Sequence, residues 1–308
     1  MKSIFIHSAM DLRIEDYPVE TISSNQVEIS LAIGGICGTD LHYYKHGGFG
    51  EIKLKEPMVL GHEVSGHITK IGSKVTNVNL GQLVSVSPSR PCNKCSFCLE
   101  GSQIHCVNMK FYGSAMPFPH IQGAFRETLI ANDYQCIPAD GLTSGEAAMA
   151  EPLAVCLHAI KQAGSIFGKK VLVTGSGPIG TLCVLAARRA GAAEIVVTDI
   201  SNSALSYSSL VGADITINSL ENYSSLEKFQ SGKGFFDIAL ECSGSSSGIK
   251  DAIKCLRPKG TLVQLGLGGD ILMPLVAVTT KELNIKGSFR FYTEFQLAVE
   301  MMQKKLIN

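Results

Sequence analysis

The chain has 308 residues, 45% hydrophobic and 18% charged, with 27 Lys and Arg balancing 27 Asp and Glu. That is the length of about two domains, too apolar for disorder, and its zero net charge argues against an electrostatic nucleic-acid binder. No run reaches the roughly 18 apolar residues of a membrane helix, and the N-terminus MKSIFIHSAMDLRIEDY turns acidic by Asp11, so a cytoplasmic protein without a signal peptide is expected. Its ten cysteines then call for an explanation other than disulfides, because the cytosol keeps thiols reduced.

In chain order, residues 1–142 show short β-type runs broken by Gly, Pro and Asn: QVEISLAI from Gln26, SGHITKIG from Ser65 and GQLVSVSP from Gly81. They predict an irregular β-rich domain. Metal-ligating residue types are scattered through it, with Cys37 in GGICGTDLH and His62-Glu63 in GHEVSG. A zinc ion that works on a substrate needs about three protein ligands and one open position, and Cys, His and carboxylate suit it. Each residue alone also has an ordinary reading, as a core thiol, a hydrogen-bonded histidine or a helix-start acid. Cys92, Cys95, Cys98 and Cys106 form a different pattern, four thiols within fifteen residues. Such a loop can wrap tetrahedrally around Zn²⁺ and fill every position, which marks a structural site; an iron–sulfur cluster is the chemical alternative.

From Thr143 the pattern changes. Ser144–Ala163 is Ala- and Leu-rich and reads as a helix, with Glu151 in AEPLA near its start. Six strand-like runs follow: Val171–Thr174, Glu194–Thr198, Ile215–Asn218, Phe236–Cys242, Thr261–Gly266 and Leu283–Gly287. Helical segments Ile179–Ala190, Ser203–Val211, Leu220–Gln230 and Gly248–Leu256 separate the first five. The alternation predicts a doubly wound parallel sheet over 143–290. After the first of these strands comes Gly175-Ser-Gly177-Pro178-Ile179-Gly180, a G-x-G-x-x-G that opens a helix. The first glycine serves the tight turn, the second the approach of a pyrophosphate, the third close helix–strand packing, and the helix N-terminus holds the phosphate. Asp199 ends the second strand, where an acid accepts hydrogen bonds from the ribose hydroxyls of NAD and repels the 2′-phosphate of NADP. The competing reading makes Asp199 or Ser201 the N-cap of the next helix. No Arg or Lys lies between Ile200 and Gly212 to grip a 2′-phosphate.

Taken together these motifs resemble the medium-chain, zinc-containing alcohol dehydrogenases over essentially the whole chain. Gly61-His62-Glu63 with Gly66 and Gly72 matches that family's zinc signature, and the four-cysteine lobe matches its structural zinc loop. CGTDLHYY at 37–44 and AEPLA at 150–154 are similar to the polyol branch. Gly34–Tyr44, Pro57–Glu63, Phe111–Met116 with Phe118–His120, and Lys286–Phe291 are similar to its idonate-type members. The resemblance implies a GroES-like catalytic domain joined to a Rossmann domain, an α/β fold, with residues 291–308 beginning a return to the first domain. It implies two zinc ions per chain: a structural one on the four cysteines, and a catalytic one on Cys37, His62 and Glu63, with Glu151 at the metal directly or through water. Thr39 and His42 would relay the proton, and Tyr43, Glu151 and Arg290 would touch the substrate. Gly175, Gly177, Pro178, Ile179, Gly180 and Asp199 would bind the cofactor. Leu265, Gly266, Leu267, Ser288, Phe289 and Arg290 would line its nicotinamide side. NAD(H) is the expected cofactor, with NADP(H) as the alternative.

The implied reaction is reversible oxidation of a secondary alcohol of a small polyol or sugar acid, L-idonate to 5-keto-D-gluconate above all. A sorbitol, xylitol or threonine-type substrate is the alternative within the family, and an inactive NAD- and zinc-binding remnant is the alternative of another class. Arg290, Lys45 and Lys110 are candidate cations for the substrate carboxylate. A homodimer or homotetramer is expected, without nucleic-acid or membrane partners. In two places the sequence departs from the family. Ala204 replaces an Arg that many polyol enzymes carry. Relatives also run some tens of residues beyond the position of Asn308, so an uncovered apolar face and marginal stability of the first domain are expected.

Overall fold

In the first unit, residues 1–151 and 295–306 of the 1–307 described by this computed structural model, the alternating runs pair into a five-stranded antiparallel sheet. Its order is Thr128–Asn132, Gln26–Gly35, Glu63–Ile71, Leu83–Val86 and Cys136–Pro138. The inward positions Val27, Ile29, Val64, Ile68, Val84, Val86 and Leu129 form its buried core. A smaller sheet joins Asp11–Asp16, Lys2–Ser8 and Met58–Val59. Ile4, Leu31, Ile33 and Phe125 help line an open, mostly apolar hollow of about 470 Å³ in this unit.

The first unit reaches past residue 142 because the helix expected over Ser144–Ala163 is two helices, Ser144–Ala148 and Ala150–Ala163. Thr143 caps the short one: Glu146 N donates to Thr143 Oγ1 (3.2 Å) and Thr143 N to Glu146 Oε2 (2.7 Å). Ser65 Oγ and Ser85 Oγ then donate to the carbonyls of Ser144 (2.6 Å) and Ala147 (2.8 Å), fastening this helix to the antiparallel sheet. In the return segment the helix Glu294–Gln303 forms, and Gln303 Nε2 donates to the carbonyls of Pro138 and Asp140 (3.2 Å each). The segment begins in the first unit at Phe295; its expected last residue, Asn308, lies outside the described residues.

The second unit, residues 152–294 and 307, is a six-stranded parallel sheet. Its order is Ile215–Asn218, Glu194–Asp199, Lys170–Thr174, Phe236–Glu241, Leu256–Gln264 and Asn284–Gly287. The strand order reverses beside Lys170–Thr174, and open α/β sheets bind ligands outside the carboxyl ends of the strands at such a point. Leu220–Gln230, read as one helix, shrinks to Ser224–Glu227 and a tight turn at Lys228–Gln230. Asn218 Oδ1 takes the N–H groups of Leu220 (3.0 Å) and Glu221 (3.2 Å) into a side-chain turn, and the helix starts only after it. A further helix, Leu275–Thr280, precedes the last strand. No helix among the described residues is long and apolar enough to cross a membrane.

Candidate metal and dinucleotide sites

Cys37 follows the strand Gln26–Gly35 and caps the helix Gly38–His46. His62 precedes the neighbouring strand, and Glu63 begins it opposite Gly35 in register. The approach is close enough that a Cβ at Gly35 would collide with Glu63 Oε2. Ligand atoms of Cys37, His62 and Glu63 all lie within 4.8 Å of one another. Asp40, 2% exposed, ties the two segments together. It accepts from Cys37 N (3.0 Å) and Gly61 N (3.2 Å), and its Oδ1 lies 4.0 Å from His62 Nδ1. Asp40 lies inside the GGICGTDLH motif, and its signal in the sequence is an acid at a capping position three residues after a candidate ligand.

This cluster gathers negative charge out of water. Burial, then Glu151 and Glu63, push the Cys37 thiol up to about 12, against hydrogen bonds from Thr39 that pull it down. Burial, then Asp40, raise Glu63 to about 7, against a hydrogen bond from Cys37. A divalent cation removes both penalties at once, and one thiolate, one imidazole and one carboxylate with room for a fourth ligand is a donor set that zinc takes. The residues fit the metal. Glu151, 4% exposed in the first turn of Ala150–Ala163, acts on Cys37 but stands outside the group of three ligands. Thr39 hydrogen-bonds the Cys37 sulfur, and His42, a turn further on, is half-buried with its ring 6.0 Å from that of Phe49. The Phe111 ring lies 5.5 Å from that of His62.

Tyr43 is 2% exposed and its hydroxyl accepts from Ala115 N (3.0 Å), so it braces the loop 113–116. Successive helix residues lie about 100° apart, and this turns Tyr43 into the core, away from the face shared by Thr39 and His42. Lys45 and Lys110 are both exposed.

The sulfurs of Cys92, Cys95, Cys98 and Cys106 also lie within 4.8 Å of one another, and a tetrahedron of Zn–S bonds needs them about 3.8 Å apart. Backbone N–H groups point at them. Cys92 N donates to Cys106 Sγ (3.1 Å), and Asn108 Nδ2 lies 3.6 Å from Cys92 Sγ. The N–H of Lys94, with Asn108, lowers Cys92 to about 6, and the N–H groups of Cys98 and Val107 lower Cys95. Burial and the neighbouring sulfurs push Cys98 up to about 12. Sulfurs ringed by donors and crowded together suit a metal that takes four thiolates.

In the second unit Gly175, with φ 89°, donates its N–H to Thr198 O (2.8 Å), and a Cβ on Gly180 would collide with Gly175 O. Gly177 caps the helix Pro178–Arg189, with Pro178 and Ile179 in its first turn. Asp199 ends its strand and accepts from Ser176 N (2.6 Å) and Ser201 N (2.8 Å). Ser201 is the N-cap of Asn202–Leu210, one of the two residues that the N-cap reading named, and Asp199 is not the cap. Leu265 and Gly266 donate their N–H groups to the carbonyl of Glu241 (2.9 Å each), a residue that no motif marks. Leu267 follows them, half exposed. Ser288 N donates to Gln264 O (2.9 Å). Arg290, at φ 54°, sets its guanidinium 4.8 Å from the Phe289 ring centre.

Comparison with known proteins gives the family of the chain. Residues 23–141 match the alcohol dehydrogenase GroES-like domain, and residues 178–304 match the zinc-binding dehydrogenase domain. L-Idonate 5-dehydrogenase (NAD(P)(+)) of Escherichia coli K12 is 40% identical over 288 residues, which span 93% of this chain and 83% of that protein. Sorbitol dehydrogenase of Bos taurus is 37% identical over 311 residues, 99% of this chain and 86% of that protein. The crystal structure of the Escherichia coli L-idonate 5-dehydrogenase superposes with a TM-score of 0.94 at 37% identity, covering 100% of this chain and 88% of that one.

Proposed function

The chain belongs to the zinc-binding alcohol dehydrogenases, and from that premise we propose that it oxidises L-idonate at C5 to 5-keto-D-gluconate, reversibly, with NAD⁺. That it is a zinc- and NAD(P)-dependent dehydrogenase of the polyol and sugar-acid group follows from its relatives; the substrate and the preference for NAD are our reading. The observation that carries the chemistry is the convergence of Cys37, His62 and Glu63 within 4.8 Å. The substrate rests on the 40% identity to the idonate enzyme.

Cys37, His62 and Glu63 would hold the catalytic zinc, and Cys92, Cys95, Cys98 and Cys106 the structural one. Bound zinc supplies Lewis acidity that lowers the pKa of an alcohol, and NAD⁺ supplies the hydride acceptor. Glu151 adds negative charge beside Cys37 and stands ready as a further ligand. Thr39 Oγ1 would take the alcohol proton and His42 would pass it to solvent, an ordinary acid–base relay. At the other site the N–H groups opening Pro178–Arg189 would hold the pyrophosphate, and Asp199 would hold the ribose. Leu265–Leu267 and Ser288–Arg290 would flank the nicotinamide, with Arg290 also offering a cation to the substrate carboxylate. We place the reaction in the cytoplasm, where the five thiols of the two metal sites stay reduced.

The test is a panel of idonate, 5-keto-gluconate, sorbitol, xylitol and threonine with both coenzymes and bound zinc quantified. Idonate with NAD⁺ should give the highest kcat/KM. Faster turnover of sorbitol moves the assignment to the polyol enzymes, and a zinc-loaded protein without turnover supports the inactive alternative. Asp199→Ala should cut the ratio of kcat/KM for NAD⁺ over NADP⁺ about tenfold, or ~1.4 kcal/mol, because it removes both the ribose acceptor and the repulsion of a phosphate.

A further inference from the structure

The carboxyl end of the strand Phe236–Glu241 holds a fully buried acid, Glu241. Five donors converge on its two oxygens. Thr174 Oγ1 (3.2 Å), Ser243 N (3.0 Å) and Ser243 Oγ meet Oε1. Gly244 N (3.0 Å) and Gln264 Nε2 (2.6 Å) meet Oε2. The donors come from three sources: the end of the strand Lys170–Thr174, the loop following Glu241 itself, and the end of the strand Leu256–Gln264. The carbonyl of the same residue takes the N–H groups of Leu265 and Gly266.

Around this one side chain the loops touch through glycines. A Cβ on Gly266 would collide with the Gly244 backbone, and one on Gly268 with Gly244 O. One on Gly175, in the phosphate-binding turn, would sit 2.8 Å from Ser243 N. Three loops at the point where the sheet reverses its strand order are thus packed backbone to backbone, and Glu241 accepts from the loop 242–245 and two strand ends through its carboxylate and from the loop 265–266 through its carbonyl. Asp199 lies on the other side of Lys170–Thr174, on the strand Glu194–Asp199.

We propose that Glu241 is the positioning residue of the nicotinamide half of the dinucleotide site. It fixes the loops 242–245 and 265–268 relative to the phosphate-binding turn, and so sets where the reacting ring sits without touching it. The proposal rests on reading Leu265–Leu267 as the lining of the nicotinamide. A carboxamide in its place keeps one acceptor oxygen and turns an NH₂ group toward groups that are themselves donors, so at least one loop must move.

The experiment compares the zinc-loaded wild-type chain with Glu241→Gln by calorimetric titration of NADH and, separately, of AMP. AMP engages only the Asp199 side. NADH should bind at least tenfold more weakly to the variant, with AMP unchanged within twofold. The kcat of alcohol oxidation should fall at least tenfold while KM for the alcohol stays within twofold. Ser243→Ala, which removes one donor and keeps the acid, should shift NADH and kcat in the same direction by about two- to fivefold, and it serves if Glu241→Gln does not fold. Equal weakening of NADH and AMP would mean that Glu241 merely holds the unit together, and unchanged NADH binding would mean that it does not position the loops; either overturns the proposal. A wild type that binds neither AMP nor NADH overturns the dinucleotide reading beneath it, and the proposal with it.

Discussion

The Cys37 cluster of the first unit and three acids of the second treat charge in opposite ways, while elsewhere in the first unit Glu28 is paired with Thr69 and Lys70. In the second unit Glu241, Asp237 and Glu294 are each met by donors of their own chain. Glu241 has five. Asp237 takes Lys170 N (2.9 Å) and Arg257 Nε (2.8 Å), and these outweigh its burial and hold it below the usual carboxylate range. Glu294 takes His158, Lys161 and Tyr292 N. In the first unit Asp40 accepts two N–H groups, but Glu63 and Glu151 act on the half-buried Cys37, and burial and mutual repulsion raise Cys37 and Glu63. Removing charge from water is costly unless it is paired. The second unit meets that cost within the chain, so its site is shaped before any ligand arrives. The first unit leaves the cost standing where a cation is to bind. The cysteine lobe lies between these cases, with two sulfurs eased by N–H groups and one, Cys98, left raised.

Cys37→Ser is the harshest test of this contrast. It should lower kcat/KM about a thousandfold or more, ~4 kcal/mol of barrier. It should lower Tm far less than Cys95→Ser does, because only the binding energy of the lost ion is forfeited and the cluster itself adds little to the fold. A fall in Tm as large as that of a core truncation would break the comparison. Cys95→Ser should do the reverse. Losing a structural site should cost more than ~3 kcal/mol, or roughly 6–12 °C in Tm for a unit of this size. Zinc analysis of the same samples should fall from two ions per chain to one in both variants, so only the split between Tm and kcat/KM tells the sites apart.

What could be read from the sequence follows from how each site is assembled. The cysteine lobe and the phosphate-binding turn are contiguous, and spacing alone announces them. The catalytic set comes from separate segments whose single residues all have ordinary roles elsewhere in proteins, so only a family resemblance joined Cys37 to His62, Glu63 and Glu151. Asp40 and Glu241 stayed without roles because what they do depends on which loops meet, and no pattern along the chain encodes that. The burial of Tyr43 against Ala115 was equally hidden: next to His42 in sequence, it lies about 100° away around the helix. Leu275–Thr280, LVAVTT, carries the β-branched signature of a strand, yet it folds as a helix packed beside the core of the second unit; tertiary context overrides so weak a preference.

The smallest effect comes from an acid that the chain itself satisfies. His158 Nδ1 lies 3.2 Å from Glu294 Oε1, and Lys161 Nζ donates to the same oxygen at 3.1 Å. Gln162 Nε2 lies 3.1 Å from His158 Nε2 and donates to it, which leaves the ring proton on Nδ1 facing Glu294. Burial alone would push Glu294 up. Hydrogen bonds from His158, the N–H groups of Tyr292 and Glu294, and Lys161 outweigh it and hold the carboxyl well below its usual range. A carboxyl depressed in the folded state stabilises the fold above its unfolded value, ~4.3, and that contribution is lost as pH falls through the folded value. Glu294→Gln should therefore lower Tm at pH 7 by about 2–4 °C, for a loss of ~1 kcal/mol once solvent screening of Lys161 is allowed for. The gap between variant and wild type should narrow from about pH 5 downward, as the wild-type carboxylate loses its advantage over the neutral side chain. Melting curves across that range check it. A gap that stays constant with pH would show that Glu294 acts through packing alone, and the contrast between the units would then rest on Glu241 and Asp237.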